Sequence, residues 1–172
     1  MIRLSDRIKA AYYKVSRLII TMTVTGIRHC QLGKKVRVMT RVGIYNHQHY
    51  RGGCPGCSQT YVKGMIADGV KCQNRAIGIY GNDCEFINYT DLGDYPPENL
   101  DRPGFKRMMN DVEDHKLDAI FVLTLSKISN DIDLVLQTYK KCKENDVALM
   151  TALDGKKVMK VLDKALEKWE KK

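Results

Sequence analysis

This 172-residue chain has little long hydrophobic sequence, few closely spaced cysteines and a minority of acidic side chains. The apolar stretch at residues 18–27 carries three threonines and reaches only about half the ~20 residues that a membrane-spanning helix needs. Asp6 and a mixed-charge segment precede it, so the compact basic start and small-residue cleavage site of a secretory signal are missing. The six cysteines include one close pair, Cys54 and Cys57. That spacing argues against the dense disulfide framework of small secreted domains and fits a reducing cytoplasm. Twenty Asp and Glu face 29 Lys and Arg, a net charge of +9, which suits a partner with a phosphate backbone and carries no sequence specificity. The same lysines also serve simply to solvate helix faces.

What is present reads as one α/β domain with attachments. Leu4, Ile8, Tyr12, Val15, Leu18, Ile19 and Met22 recur at helical spacing, with Ser5 as an N-cap and Arg3, Arg7, Lys9, Lys14 and Arg17 around them. Residues 1–38 therefore form an N-terminal helical extension, ending in the basic cluster Lys34, Lys35 and Arg37. A main domain follows over 39–155. Val42 and Ile44 mark a buried strand ending near Tyr45, residues 46–71 read as irregular, and 72–80 suit a helix. A strand is expected at 85–90, and Pro103 opens a helix whose Phe105, Met108, Met109 and Val112 share one face. Asp118 to Leu123 is nearly all apolar, as a strand covered on both faces should be. Asn130 is placed to cap the next helix, Val147 to Leu153 forms a last strand, and residues 156–172 form a basic helix with Trp169 as its anchor. Strands alternating with helices imply a three-layer α/β domain with a mostly parallel sheet.

Residues 99–131 carry the most specific pattern: Asp101-Arg102-Pro103-Gly104-Phe105, an amphipathic helix, the strand from Asp118 to Val122, and the loop Ser126-Lys127-Ile128-Ser129-Asn130. Gln73 to Ile77 and Tyr89-Thr90-Asp91-Leu92-Gly93 add two weaker anchors. Over residues 41–154 the chain resembles the catalytic domain of serine recombinases of the resolvase/invertase family. Family members have a first strand ending in Tyr-x-Arg-x-Ser, whose serine attacks a DNA phosphodiester while arginines stabilise the developing charge. Here the pattern is Tyr45-Asn46-His47-Gln48-His49. His49 takes the nucleophile position, His47 the first arginine, Lys127 a second and Asn130 a third. Tyr45, Asp91 and Arg102 match the family site. Lysine supplies charge without the planar fork that grips two phosphate oxygens. Placing Arg41-Val42-Gly43 on the Arg-x-Ser pattern instead still lacks the serine and shortens the strand.

The resemblance implies a mobile-element or phage setting, DNA as ancestral substrate, self-association through the late helices, and Arg102 and Lys127 as DNA contacts beside Lys34, Lys35 and Arg37. The substitutions imply a pseudoenzyme without strand exchange, binding DNA weakly or non-specifically. A homodimer, or a heterodimer with an intact recombinase, is the expected assembly, and no membrane is expected. The helix after Gly155 is where resolvases continue to a DNA-reading module, and nothing here resembles a helix-turn-helix reader.

No organic cofactor is implied, whereas zinc is a candidate ligand. His47, His49, Cys54 and Cys57 lie within eleven residues, and two imidazoles with a Cys-x-x-Cys pair could close a tetrahedral site. A lone pair of that kind is a weak signal, and a reduced, metal-free loop is the plainer reading. His47-x-His49 beside Tyr50 is also similar to the two-histidine metal motif of single-strand nickases. Gln48 is polar where that motif is apolar, and the alternating pattern contradicts its antiparallel sheet. Cys72, Cys84 and Cys142 read as small packed side chains.

Overall fold

The computed structural model describes residues 39–49 and 55–171. Strands β1 (Thr40–His49), β2 (Cys84–Gly93), β3 (Ala119–Val122) and β4 (Ala148–Thr151) form one sheet in the order β2-β1-β3-β4. All three pairings are parallel. The connections are the helices α1 (Pro55–Tyr80), α2 (Pro103–Glu113) and α3 (Ile132–Glu144), with α4 (Gly155–Trp169) after the last strand. Parallel strands require such crossovers, and the crossovers cover both faces of the sheet. The fold is the expected three-layer α/β arrangement.

Strand periodicity sorts the core into two clusters. Val42 and Ile44 of β1, with Ala119 and Phe121 of β3, pack against Cys72 and Ala76 of α1. Tyr45, Tyr89, Ile120, Val122 and Leu149 point to the other face, where they meet Phe105, Met108 and Val112 of α2, Val135 and Leu136 of α3, and Leu162 and Leu166 of α4. Trp169 packs at the margin of this cluster. Cys72 and Cys142 are buried free thiols, and burial pushes each up to about 12, so neither is a ready nucleophile.

Several boundaries differ from those expected. β1 runs four residues past Tyr45, because Asn46 to His49 pair with Thr90 to Gly93 of β2 even though β3 stops opposite Tyr45. Most of the stretch expected to be irregular is helix: α1 starts at Pro55, seventeen residues before the expected start at 72. Its buried stripe is Met65, Cys72 and Ala76, with Gly69 brought close enough to β1 that an added Cβ would sit 3.4 Å from the Asn46 amide. Small residues make a helix-to-sheet contact with little hydrophobic signature. The cap of α3 is Asp131 rather than Asn130, its carboxylate accepting from the Asp133 N–H at 2.8 Å. Among the described residues no helix is long and apolar enough to cross a membrane.

Candidate functional site

The carboxyl ends of parallel strands are where open α/β sheets place their sites, and here that end is built from β1, β2, the start of α2 and the turn after β3. The helix α2 enters through Arg102, which has extended backbone and makes no side-chain cap. Asp91 of β2 does that work from outside the helix. Its two carboxylate oxygens accept the N–H groups of Gly104 at 2.7 Å and Phe105 at 2.9 Å, satisfying orphan donors at the positive end of the helix dipole. The hydroxyl of Tyr45 donates to the same carboxylate at 2.9 Å. Burial, with Asp91 alongside, pushes the Tyr45 phenol far above its usual range, so it stays protonated at neutral pH.

Arg102 is completely buried. Its guanidinium lies over the rings of Tyr45 and Phe105, at 5.5 and 5.4 Å from their centroids, and donates one hydrogen bond to the carbonyl of Ile128. Nε and Nη1 find no acceptor. Burial lowers its proton affinity against the opposing pull of Tyr45 and Asp91, and the two ring faces supply part of the compensation. This arginine ties α2 to the turn after β3.

That turn is a short 3-10 segment, Leu125–Lys127. Lys127 is mostly covered and reaches the carboxylate of Asp68 on α1 at 3.2 Å. Ser126 pairs its hydroxyl with Thr124 at 2.8 Å, and the buried Ser129 hydroxyl accepts the N–H of Asp131 at 3.0 Å. Both hydroxyls shape the turn.

His47 and His49 follow Tyr45 on the same face of β1, and their rings lean on one backbone carbonyl. His47 Nε2 is 2.9 Å and His49 Nδ1 is 3.1 Å from the oxygen of Tyr95. Each ring nitrogen donates there, which fixes the tautomer of a neutral ring. Burial, with Arg102 next in effect, holds His47 below the ordinary histidine range. His49 Nε2 lies 3.8 Å from Asp94.

Tyr45, His47, Asp91, Arg102 and Lys127 are thus gathered at one strand end, with His49 at its rim. Lys34, Lys35, Arg37 and Cys54 lie outside the described residues. Cys57 lies in the first turn of α1 rather than in a loop. Among the described residues no three His, Cys, Asp or Glu side chains are grouped to hold a metal ion. Sequence reasoning missed Asp68, because α1 was not expected there, and the Tyr95 carbonyl, because a backbone oxygen leaves no mark in the residue code. The cap role of Asp91 was also unforeseen.

The model of the family "Resolvase, N terminal domain" matches residues 66–168. The chain belongs to that family. Its fold is accordingly found in serine recombinase catalytic domains. A resolvase family site-specific recombinase from Streptococcus pneumoniae is similar at 23% identity and a TM-score of 0.56, over 77% of this chain and 89% of that one. The N-terminal catalytic domain of TP901-1 integrase is similar at 19% identity and a TM-score of 0.50, over 77% and 97%. The C-terminal catalytic domain of ISC1926 TnpA, an IS607-like serine recombinase, is similar at 12% and 0.54, over 71% and 77%. At these identities the likeness shows the fold. No curated protein matches the chain. Within this resolvase-family domain the strand that ends in a hydroxyl nucleophile elsewhere ends in His49, so the site differs in its chemistry while keeping Tyr45, Asp91 and Arg102.

Proposed function

We propose that this resolvase-family protein has left strand exchange behind and acts by binding, weakly and without sequence preference to DNA, and to an intact recombinase as its partner. The observation that carries the reading is the internal engagement of the two cations at family positions. Arg102 is sealed under Tyr45 and Phe105, and Lys127 is paired with Asp68. A phosphate in flight needs preorganised donors aimed at it, and removing even one such donor commonly costs about 10²–10³ in rate. Here the serine and two arginines are replaced together. The net charge of +9 supplies the non-specific attraction. A reducing cytoplasm and a mobile-element setting accompany this reading.

Two assays on the full chain test it. Fluorescence anisotropy with a random 30-base-pair duplex should show binding that weakens steeply with salt. A nicked suicide duplex should yield no covalent protein–DNA adduct. An adduct that disappears in His49→Ala would overturn the inactive reading, and salt-independent or absent binding would overturn the DNA reading.

A second reading is favoured by the convergence of His47 and His49 on the Tyr95 carbonyl. With Cys54 and Cys57 close by in sequence, the strand-end loop is then a zinc-stabilised interaction module. Zinc content of untagged protein, against a Cys54→Ser, Cys57→Ser variant, tests it. Stoichiometric metal in the parent alone supports the module, and none in either removes it.

A further inference from the structure

The helix α1 has an apolar surface wider than its own sheet covers. Its buried stripe of Met65, Cys72 and Ala76 faces the sheet, yet Val62, Ile66, Val70 and Ile77 are 42%, 62%, 46% and 37% exposed. Their spacing of four, four and seven residues keeps all four on one ridge about 22 Å long. That ridge flanks the edge strand β2, whose α1-side residues Asn88 and Thr90 are exposed. Between ridge and strand runs a groove of about 460 Å³. Of the described residues lining it, none is charged, in a chain where 28% of residues are charged.

We propose that this groove is a self-association surface, occupied by the α1 ridge of a second copy of the chain. Two copies of a protein carrying +9 repel each other wherever lysines meet. An uncharged, self-complementary ridge is where they can approach. About a twofold axis at Ile66, two antiparallel ridges with a four-residue repeat interdigitate, as an isologous contact requires. The late helix offers no comparable face: α4 turns Lys160, Lys164 and Lys168 to solvent. DNA does not fit a groove without cations. Strand addition on β2 is opposed by Arg107, whose Nη2 already holds the Asn88 carbonyl at 2.8 Å. The surface is separate from the strand-end site, so the inference stands whether or not that site retains chemistry.

Sedimentation equilibrium of the full chain tests the surface. The parent should sediment as a dimer, and Ile66→Lys and Ile66→Glu should each associate at least about 100-fold more weakly, since each buries a pair of like charges at the axis. Both variants should keep the parental circular dichroism spectrum. Mixing the two should restore a dimer, because lysine then meets glutamate across the axis. Val161→Lys, at the exposed apolar position of α4, should leave association unchanged. A parent that stays monomeric up to about 100 µM, or a dimer indifferent to Ile66→Lys, overturns the proposal. So does a dimer dissolved by Val161→Lys, which assigns the contact to α4, and failure of the mixture to associate, which removes the twofold at Ile66.

Discussion

Tyr45 donates its phenolic hydrogen to Asp91 across the β1–β2 seam at 2.9 Å, and both side chains are buried. The bond links the strand bearing the altered family motif to the carboxylate that caps α2. A buried group that loses one partner of a network keeps its desolvation cost, so the members should not be equivalent. Tyr45→Phe removes one of three donors to Asp91 and should cost about 1–2 kcal/mol. Asp91→Ala strands two N–H groups and the Tyr45 hydroxyl together and should cost about 3–5 kcal/mol. Urea unfolding of both singles and the double measures this, and the double should cost clearly less than the sum. Strict additivity would mean that the two groups do not act as a unit.

Gly104 is where α2 approaches β2 most closely. A Cβ there would sit 2.7 Å from the backbone oxygen of Thr90 and 3.0 Å from an Asp91 carboxylate oxygen. Backbone cannot swing aside as a flexible side chain does, so Gly104→Ala should destabilise by about 2 kcal/mol or more. Gly64, on the exposed side of α1, has nothing within 4 Å of an added Cβ. There the same substitution should stabilise by about 0.5–1 kcal/mol through helix propensity. Thermal melts of the two variants should move in opposite directions.

Residues with a strong local signature were legible in the sequence, and those placed by neighbours were not. The apolar run at 119–122 and the helix opened by Pro103 could be read directly, because full burial and a 3.6-residue stripe are local properties. The polar end of β1 could not, since only the β2 ladder holds Asn46 to His49 extended. The first half of α1 was hidden by Gly56, Gly64 and Gly69 and by a buried face of small residues. At the site, Tyr45, Asp91 and Arg102 were found by family pattern. Their roles as hydroxyl donor, external cap and buried tie come from tertiary distances that no spacing encodes.

Asp68 holds Lys127 in an ion pair at 3.2 Å while also lying 3.6 Å from Lys71. Asp68→Asn removes a negative charge beside the strand end and releases the lysine toward a phosphate. If Lys127 belongs to the DNA-facing surface, affinity for duplex DNA should rise several-fold at low salt, and the log–log salt slope should steepen by about 0.9. Lys127→Gln should then abolish the gain made by Asp68→Asn. Anisotropy titrations between about 50 and 200 mM salt measure both, and an unchanged slope in Asp68→Asn would place Lys127 away from DNA.

The acid limb of stability should report the pair that anchors the start of β1. Arg41 donates through Nη2 to Asp118 at 2.8 Å and through Nε at 3.1 Å, and its backbone N–H adds a 2.7 Å bond. These bonds, the Arg41 side chain first, hold the Asp118 carboxyl below its ordinary value of 3.8. The folded protein therefore keeps this group ionised at pH values where the unfolded chain binds a proton. The resulting stabilisation is complete well above pH 3.8, and it falls away as pH drops through that value toward the lowered folded one. Both side chains are well over a third exposed, so solvent screening keeps the effect small and salt-sensitive. Arg41→Gln removes the guanidinium and its charge but keeps the backbone N–H bond. Its stability deficit relative to the parent should be largest near neutral pH and shrink below about pH 3.8. Urea midpoints of parent and variant across the acid range give that difference directly, and a deficit independent of pH would assign the loss to packing of the Arg41 stem rather than to its charge.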